Sequence, residues 1–126
     1  MLIKLSNASN KPIYEQITEQ IKQAILSGAL MQGDALPSIR LLAKELKISV
    51  MTTKRAYTDL ERDGFIETVA GKGSFVATRN QDFLREALVG QIEGHFLKAI
   101  HLAKTANLER TQLLALFDLL YEEEQQ

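Results

Sequence analysis

The chain has 126 residues, no cysteine and a formal net charge of −1, with 45% hydrophobic and 25% charged residues. This length suits one domain or a small domain with an appendage, and the composition argues against disorder of the whole chain. The lack of cysteine excludes disulfides and thiolate metal sites, and no apolar run is long enough for a membrane-spanning helix.

Apolar residues at helical spacing predict three helices in the first half of the chain. The first covers residues 12–27, with proline in its first turn, and Gly28 ends it. Ser38 is the natural N-cap of the second helix, and Ser49 is the N-cap of a third helix over residues 50–63. The inward positions predicted for the third helix are Thr53, Ala56, Tyr57 and Leu60.

The pattern then changes to that of β-strands. Residues 65–69 and 74–78 are rich in β-formers and flank residues 70–73, whose two glycines suit the tip of a hairpin. Helix, helix, tight turn, helix and hairpin is the layout of a winged helix-turn-helix. We therefore predict that residues 1–78 form a winged helix-turn-helix DNA-binding domain.

Residues 79–126 are predicted to form a helical dimerisation tail. A long helix is expected over residues 81–103, and a final helix is expected to begin at Asn107. The two helices carry more apolar surface than they can cover by themselves, so a second copy of the chain is the expected partner. The residues predicted to contact that copy are Leu84, Leu88, Ile92, Phe96, Ile100, Leu113, Phe117 and Leu120. The predicted fold class is mainly α with a small β-hairpin wing.

Double-stranded DNA is the predicted partner of the first domain. In a helix-turn-helix, the start of the second helix of the pair enters the major groove, and a wing tip reaches the neighbouring backbone or minor groove. Lys54 and Arg55 can pair with phosphate or guanine, while Val50 and Met51 offer only apolar contact. The predicted DNA-binding residues are Arg40, Ser49, Val50, Met51, Thr52, Lys54, Arg55, Gly71, Lys72 and Gly73.

The distribution of charge agrees with this prediction. Residues 1–79 hold 11 Lys and Arg against 8 Asp and Glu, whereas residues 80–126 hold 4 against 8. A polyanion would therefore be attracted to the first part of the chain and repelled by the second.

The sequence resembles the GntR family of bacterial repressors, and within it the short YtrA-like branch. The residues that carry the resemblance lie between positions 11 and 78 and are PIYEQI (12–17), ILSGAL (25–30), GDALPSIRLLA (33–43), TTKRAY (52–57), DGFI (63–66) and GKGSFV (71–76). The resemblance implies operator binding as a dimer, with the family's DNA-contacting positions at Arg40, Ser49, Val50, Met51, Thr52, Lys54, Gly71 and Lys72. It also implies a setting beside transporter operons, and hence transport or envelope genes as targets.

The sequence departs from the family pattern in two ways. The family often has Arg-Thr or Pro-Asn where this chain has Val50 and Met51, so the base preference there stays open. Lys47 stands where the turn often has glycine, and a left-handed backbone at that residue would cost about 1 kcal/mol.

No cofactor, metal ion or membrane is expected as a partner. His95 and His101 would lie about 240° apart around a helix, so they do not face one ligand. Residues 71–74 are not a phosphate loop, because the preceding glycine and the following helix are missing. No set of residues has the pattern of a catalytic site, so an enzyme is not expected. The N-terminus has no secretory-signal pattern, and a cytoplasmic location is the expectation.

Two further hypotheses stay open. The winged helix could serve as a protein-interaction module without specific DNA binding. A small-molecule effector could bind between the tail helices and the winged domain, where Phe96, Leu97 and Phe117 would contribute, and could change the spacing of the two DNA-binding heads.

Overall fold

The computed structural model describes residues 1–78 and 81–124 and divides the chain into two units, Met1–Leu84 and Arg85–Gln126. Within the described residues, the predicted class is confirmed: the chain is mainly α-helical with one antiparallel hairpin. The elements are α1 (Ile13–Leu26), α2 (Ile39–Leu46), α3 (Val50–Arg62), β1 (Ile66–Val69), β2 (Gly73–Val76), α4 (Gln81–Thr105) and α5 (Arg110–Glu124).

The core of the first unit lies where α3 packs against α1 and α2. Ile17 and Ile21 of α1 are fully buried, as is Leu60 of α3. All four inward positions predicted for α3, from Thr53 to Leu60, are buried. Burial of an aliphatic side chain of this size contributes about 1.5–3 kcal/mol, so this contact holds α3 in place with one face outward.

A tight turn joins α2 to α3 and begins with a left-handed residue. Lys47 has φ 56° and ψ 47°, and the Ile48 N–H donates to the Ala43 carbonyl at 3.0 Å. This arrangement satisfies carbonyls at the end of α2. The left-handed conformation considered from the sequence is therefore present, and a lysine there costs about 1 kcal/mol relative to an ordinary helical backbone.

The hairpin pairs Ile66 with Val76 at its base and Val69 with Gly73 at its tip. The connector between α1 and α2 runs along the other edge of β2, where Ala35 forms a bridge with Phe75. Its backbone N–H groups donate to β2 carbonyls, with Gly33 to Val76 and Leu36 to Ser74 each at 2.9 Å. This pairing of the connector with the wing was not predicted from the sequence.

The N-terminal segment is held along α1 by two glutamine side chains. Gln16 accepts the Ser6 N–H at 2.9 Å and donates to the Ser6 carbonyl at 3.0 Å. Gln20, one turn later, makes the same pair of bonds with Lys4 at 2.9 and 2.8 Å. The side-chain amides provide the hydrogen-bond partners that a neighbouring strand would otherwise provide for this backbone. Ile3, next to Lys4, is buried, and no element was predicted here.

The first turn of α4 belongs to the first unit. The Phe83 ring contacts the Phe65 ring edge to face, with centroids 5.6 Å apart. The predicted domain boundary after residue 78 therefore lies inside this unit. Independent folding of the two predicted domains stays a prediction.

In the second unit, α4 ends at a left-handed asparagine. Asn107 has φ 59°, and the Leu108 N–H donates to the Ala103 carbonyl at 2.8 Å. The prediction that Asn107 begins the final helix is therefore wrong, because this residue closes α4 instead. The last helix begins at Arg110, and the Gln112 side chain accepts the Glu109 N–H just before it at 2.8 Å. None of the described helices has the length and apolar character needed to cross a membrane.

Candidate nucleic-acid interface

The first turn of α3 is capped by its own hydroxyl groups. The Ser49 Oγ accepts the Thr52 N–H at 3.0 Å and donates its proton to the Thr52 Oγ1 at 2.8 Å. This cap satisfies an otherwise unpaired N–H and fixes the direction in which α3 starts. The hydroxyl groups of Ser49 and Thr52, both predicted to bind DNA, therefore lie at the start of α3 and also stabilise its first turn.

Two apolar side chains stand exposed on the same turn. Val50 is 42% exposed and Met51 is 72% exposed. Neither belongs to the buried face of α3, which begins at Thr53. An exposed apolar pair at a helix start is suited to contact with thymine methyl groups.

The predicted cations around this turn are exposed and unpaired. Arg40 on α2, Lys54 on α3 and Lys72 at the hairpin tip are all exposed. No carboxylate of the described residues lies within ion-pair distance of these three. Their charges are therefore available to an external anion.

Other cations of the first unit are used internally. Arg62, at the end of α3, pairs with Asp59 at 3.2 Å and with Asp63 at 3.3 Å. Lys22 of α1 pairs with Asp63 at 3.0 Å, and this hydrogen bond lowers the pKa of the Asp63 carboxyl below its ordinary value. The bond from Arg62 acts in the same direction, while partial burial opposes both. Positive charge is thus neutralised at the end of α3 but not near its start.

Arg55 is held by Tyr14, which is not among the predicted DNA-binding residues. Its guanidinium carbon lies 3.8 Å from the centre of the Tyr14 ring, and its Nη2 donates to the Tyr14 hydroxyl at 3.1 Å. Tyr14 lies in the first turn of α1, far from Arg55 in sequence. No spacing rule connects the two, and the only available signal was the presence of Tyr14 in the PIYEQI motif.

The wing tip has the backbone that its glycines were expected to provide. Gly71 has φ 78° and Gly73 has φ 114°. Space does not require glycine here, because an added Cβ would meet nothing within 4 Å at either position. The positive φ values require it, since other residues are strained there. Lys72 stands exposed between them.

Tyr57 connects the interface helix to the start of α2. Its hydroxyl donates to the Pro37 carbonyl at 2.7 Å. Burial of the phenol, together with the nearby Glu45 carboxylate, raises the pKa of Tyr57 above its ordinary value. The hydroxyl therefore stays protonated and keeps donating to Pro37 throughout the pH range in which proteins are handled.

Comparison with known proteins identifies the family. The model of "Bacterial regulatory proteins, gntR family" matches residues 13–76. This chain belongs to the GntR family. The HTH-type transcriptional repressor YtrA of Bacillus subtilis (strain 168) is 36% identical over 112 residues, which are 89% of this chain and 86% of that relative.

Solved structures agree with this assignment. YtrA from Sulfolobus acidocaldarius, a GntR-family transcription factor, is 30% identical with a TM-score of 0.60, over 98% of this chain and 100% of that chain. AraR(DBD) in complex with operator ORX1 is 29% identical with a TM-score of 0.52, over 59% of this chain and 92% of that chain. The predicted GntR and YtrA-like resemblance is confirmed, and the chain is a DNA-binding transcriptional regulator of this family.

The residues predicted for dimerisation of this GntR regulator are mostly exposed. Leu84 and Leu113 are partly buried. Phe96 and Phe117 contact each other edge to face with centroids 6.2 Å apart, yet both keep more than a third of their surface exposed. Leu88, Ile92, Ile100 and Leu120 are exposed to a similar degree. The predicted contact with a second copy, and the predicted effector pocket at Phe96, Leu97 and Phe117, stay predictions.

Proposed function

We propose that this GntR-family regulator is a homodimeric repressor that binds an inverted-repeat operator with the start of α3 in the major groove. The observation that carries the proposal is the exposed apolar pair Val50 and Met51 on the capped first turn of α3. Arg40 on α2, Lys54 on α3 and Lys72 at the hairpin tip are exposed and have no carboxylate partner in the described residues. Exposed apolar groups can contact base edges in a DNA groove, and unpaired cations can contact its phosphates.

The homodimer is supported by the amount of apolar surface on the second unit. Large apolar side chains are exposed on α4 and on α5, including Phe96, Ile100, Phe117 and Leu120. Contiguous exposed apolar surface of this kind marks an interaction site in a globular protein. A second copy would cover it by a two-fold contact, and the two α3 helices would then meet half-sites about 34 Å apart.

Repression is proposed because the Bacillus subtilis relative is named a transcriptional repressor. The YtrA-like resemblance extends the proposal to an operator near transport or envelope genes. Both parts can be tested once the operator has been selected from a random duplex library and located in the genome of the source organism. A transcription assay on that promoter should then show lower transcript levels when the protein is added.

The binding mode is tested by fluorescence anisotropy on a selected duplex across a potassium chloride series. Several neutralised phosphates make the logarithm of the binding constant fall steeply with the logarithm of salt concentration, by about 0.9 for each phosphate. Light scattering on the complex should give two chains per duplex. A binding constant that does not change with salt, or a complex with one chain, would contradict the proposal.

A further inference from the structure

The contact between Tyr14 and Arg55 combines two interactions on one guanidinium. The guanidinium lies over the Tyr14 ring at 3.8 Å, and one of its N–H groups donates to the Tyr14 hydroxyl at 3.1 Å. A cation over an aromatic face is attracted by the ring quadrupole. The hydrogen bond then fixes the rotation of the guanidinium about that stack. Arg55 is therefore held in one orientation, although its side chain is exposed.

The stack leaves most of the donors of Arg55 unused. A guanidinium has five N–H groups in one plane, and the Tyr14 hydroxyl takes one of them. No carboxylate of the described residues, Glu15 in the same turn of α1 included, lies within ion-pair distance of Arg55. The other N–H groups of this exposed side chain are therefore open to phosphate or carboxylate oxygens, which pair with the edge of a guanidinium.

The position of the pair favours a backbone phosphate over a base. Tyr14 lies on α1, which packs against the side of α3, so the stack draws the guanidinium of Arg55 toward α1. The turn that carries Val50 and Met51 precedes Arg55 by more than one helical turn. The start of α1 has no side-chain cap, because Pro12 has no acceptor, and the positive end of a helix also favours an anion nearby.

We propose that Tyr14 is a positioning residue for DNA binding, which holds Arg55 so that its open edge meets a phosphate beside the groove that α3 enters. The inference rests on the proposed function, since it needs DNA against this face of the molecule. Tyr14 would then act on DNA binding through Arg55. Because Arg55 would contact a phosphate, this contact would not depend on base sequence.

The experiment uses the full chain and two duplexes of equal length, one recovered by selection and one of random sequence. The variants are Tyr14→Phe, which keeps the ring and removes the hydroxyl, Tyr14→Leu, Arg55→Ala, and Tyr14→Leu combined with Arg55→Ala. Arg62→Ala is the matched control, because Arg62 lies on the same helix but pairs with Asp59 and Asp63. Anisotropy gives the dissociation constant and its salt dependence, and circular dichroism gives Tm.

Arg55→Ala is expected to weaken binding to both duplexes by about tenfold and to reduce the salt slope by about one phosphate. Tyr14→Leu should weaken both by about three- to fivefold, and Tyr14→Phe by about twofold. In the Arg55→Ala background, Tyr14→Leu should cause no further loss of affinity. Arg62→Ala should leave both constants within about twofold of the unsubstituted protein.

Two results would overturn the inference while the proposed function stands. One is that Tyr14→Phe and Tyr14→Leu bind both duplexes as the unsubstituted protein does. The other is that Tyr14→Leu loses the same factor with and without Arg55, as a change in folding alone would produce. If the unsubstituted protein itself binds neither duplex, the proposed function fails, and the inference fails with it.

Discussion

The Nζ of Lys22 lies 3.0 Å from Oδ2 of Asp63, which joins the middle of α1 to the residue that closes α3. The same ammonium lies 5.3 Å from the centre of the Phe65 ring, and Phe65 contacts Phe83 at the start of α4. One lysine of α1 thus contacts both the end of α3 and the Phe65 ring.

This pair predicts a pH-dependent stability. The pKa of Asp63 is lowered in the folded chain, chiefly by the hydrogen bond from Lys22. Its contribution is therefore present above the ordinary carboxyl pKa of about 4 and is lost as pH falls through the lowered value. Both partners are about one-third exposed, so Asp63→Asn should reduce the free energy of unfolding by no more than about 1 kcal/mol at neutral pH. Urea titrations should show this difference shrinking in acid.

The matched control is Lys11→Met, which removes the exposed ion pair between Lys11, just before α1, and Glu19 on α1. It should leave the unfolding midpoint unchanged at either pH. An Asp63→Asn effect that is equal at neutral and acidic pH would show that the carboxylate charge is not its cause.

The left-handed Lys47 predicts a stabilising substitution. Glycine adopts this backbone without the Cβ penalty, so Lys47→Gly should raise the free energy of unfolding by up to about 1 kcal/mol. Lys44→Gly, inside α2, should lower it by a similar amount, because glycine is a poor helix former. Thermal and urea unfolding measure both. A Lys47→Gly chain less stable than the unsubstituted protein would count against the strain argument.

Gln16 and Gln20, which bind the N-terminal backbone and are here called the glutamine clamp, predict residue-specific protection of backbone amides. Gln16→Ala leaves the Ser6 N–H and carbonyl without their side-chain partners, and should cost about 1–3 kcal/mol because this region is partly buried. Hydrogen exchange should become faster at Ser6 in Gln16→Ala and at Lys4 in Gln20→Ala. If each substitution accelerates both amides equally, the two glutamines act as one unit.

The unpaired cations predict a loss of DNA affinity without a loss of assembly. Lys54→Ala and Lys72→Ala should each weaken binding to selected and random duplexes alike and reduce the salt slope by about one. Analytical ultracentrifugation should show the same oligomeric state as the unsubstituted protein. Unchanged affinity for every duplex in both variants would favour the alternative in which the winged helix is a protein-interaction module.

The exposed face of the second unit predicts a variant that separates assembly from folding. Ile92 is 48% exposed, so Ile92→Glu should leave helicity intact while it prevents a second copy from covering α4. Operator affinity should then fall with the dimer. Met31→Glu is the control, because Met31 is also apolar and exposed but lies in the first unit. A dimeric Ile92→Glu protein would exclude Ile92 from the interface.

The sequence was informative where the determinants are local. The inward positions of α3 follow from helical spacing, and Ser49 was recognised as a cap from its residue type and place. The left-handed backbone at Lys47 was considered because the family pattern often has glycine at that position. Each of these features depends on a few consecutive residues.

The features that were missed depend on contacts between distant segments. Tyr14 meets Arg55 only after α1 and α3 have packed, and the glutamine clamp needs an extended N-terminal segment beside α1. Asn107 was misplaced for a different reason. Asparagine suits both the start of a helix and the left-handed residue that ends one, and residue type alone does not decide between them.

The first turn of α3 contains residues that stabilise the fold and residues that do not. Ser49 and Thr53 are committed to the cap and the core, whereas Val50 and Met51 between them contribute to neither. Substitutions at Val50 and Met51 would leave the fold of the domain intact. After gene duplication, one copy could therefore acquire a new binding-site preference through very few substitutions while the other kept the old one.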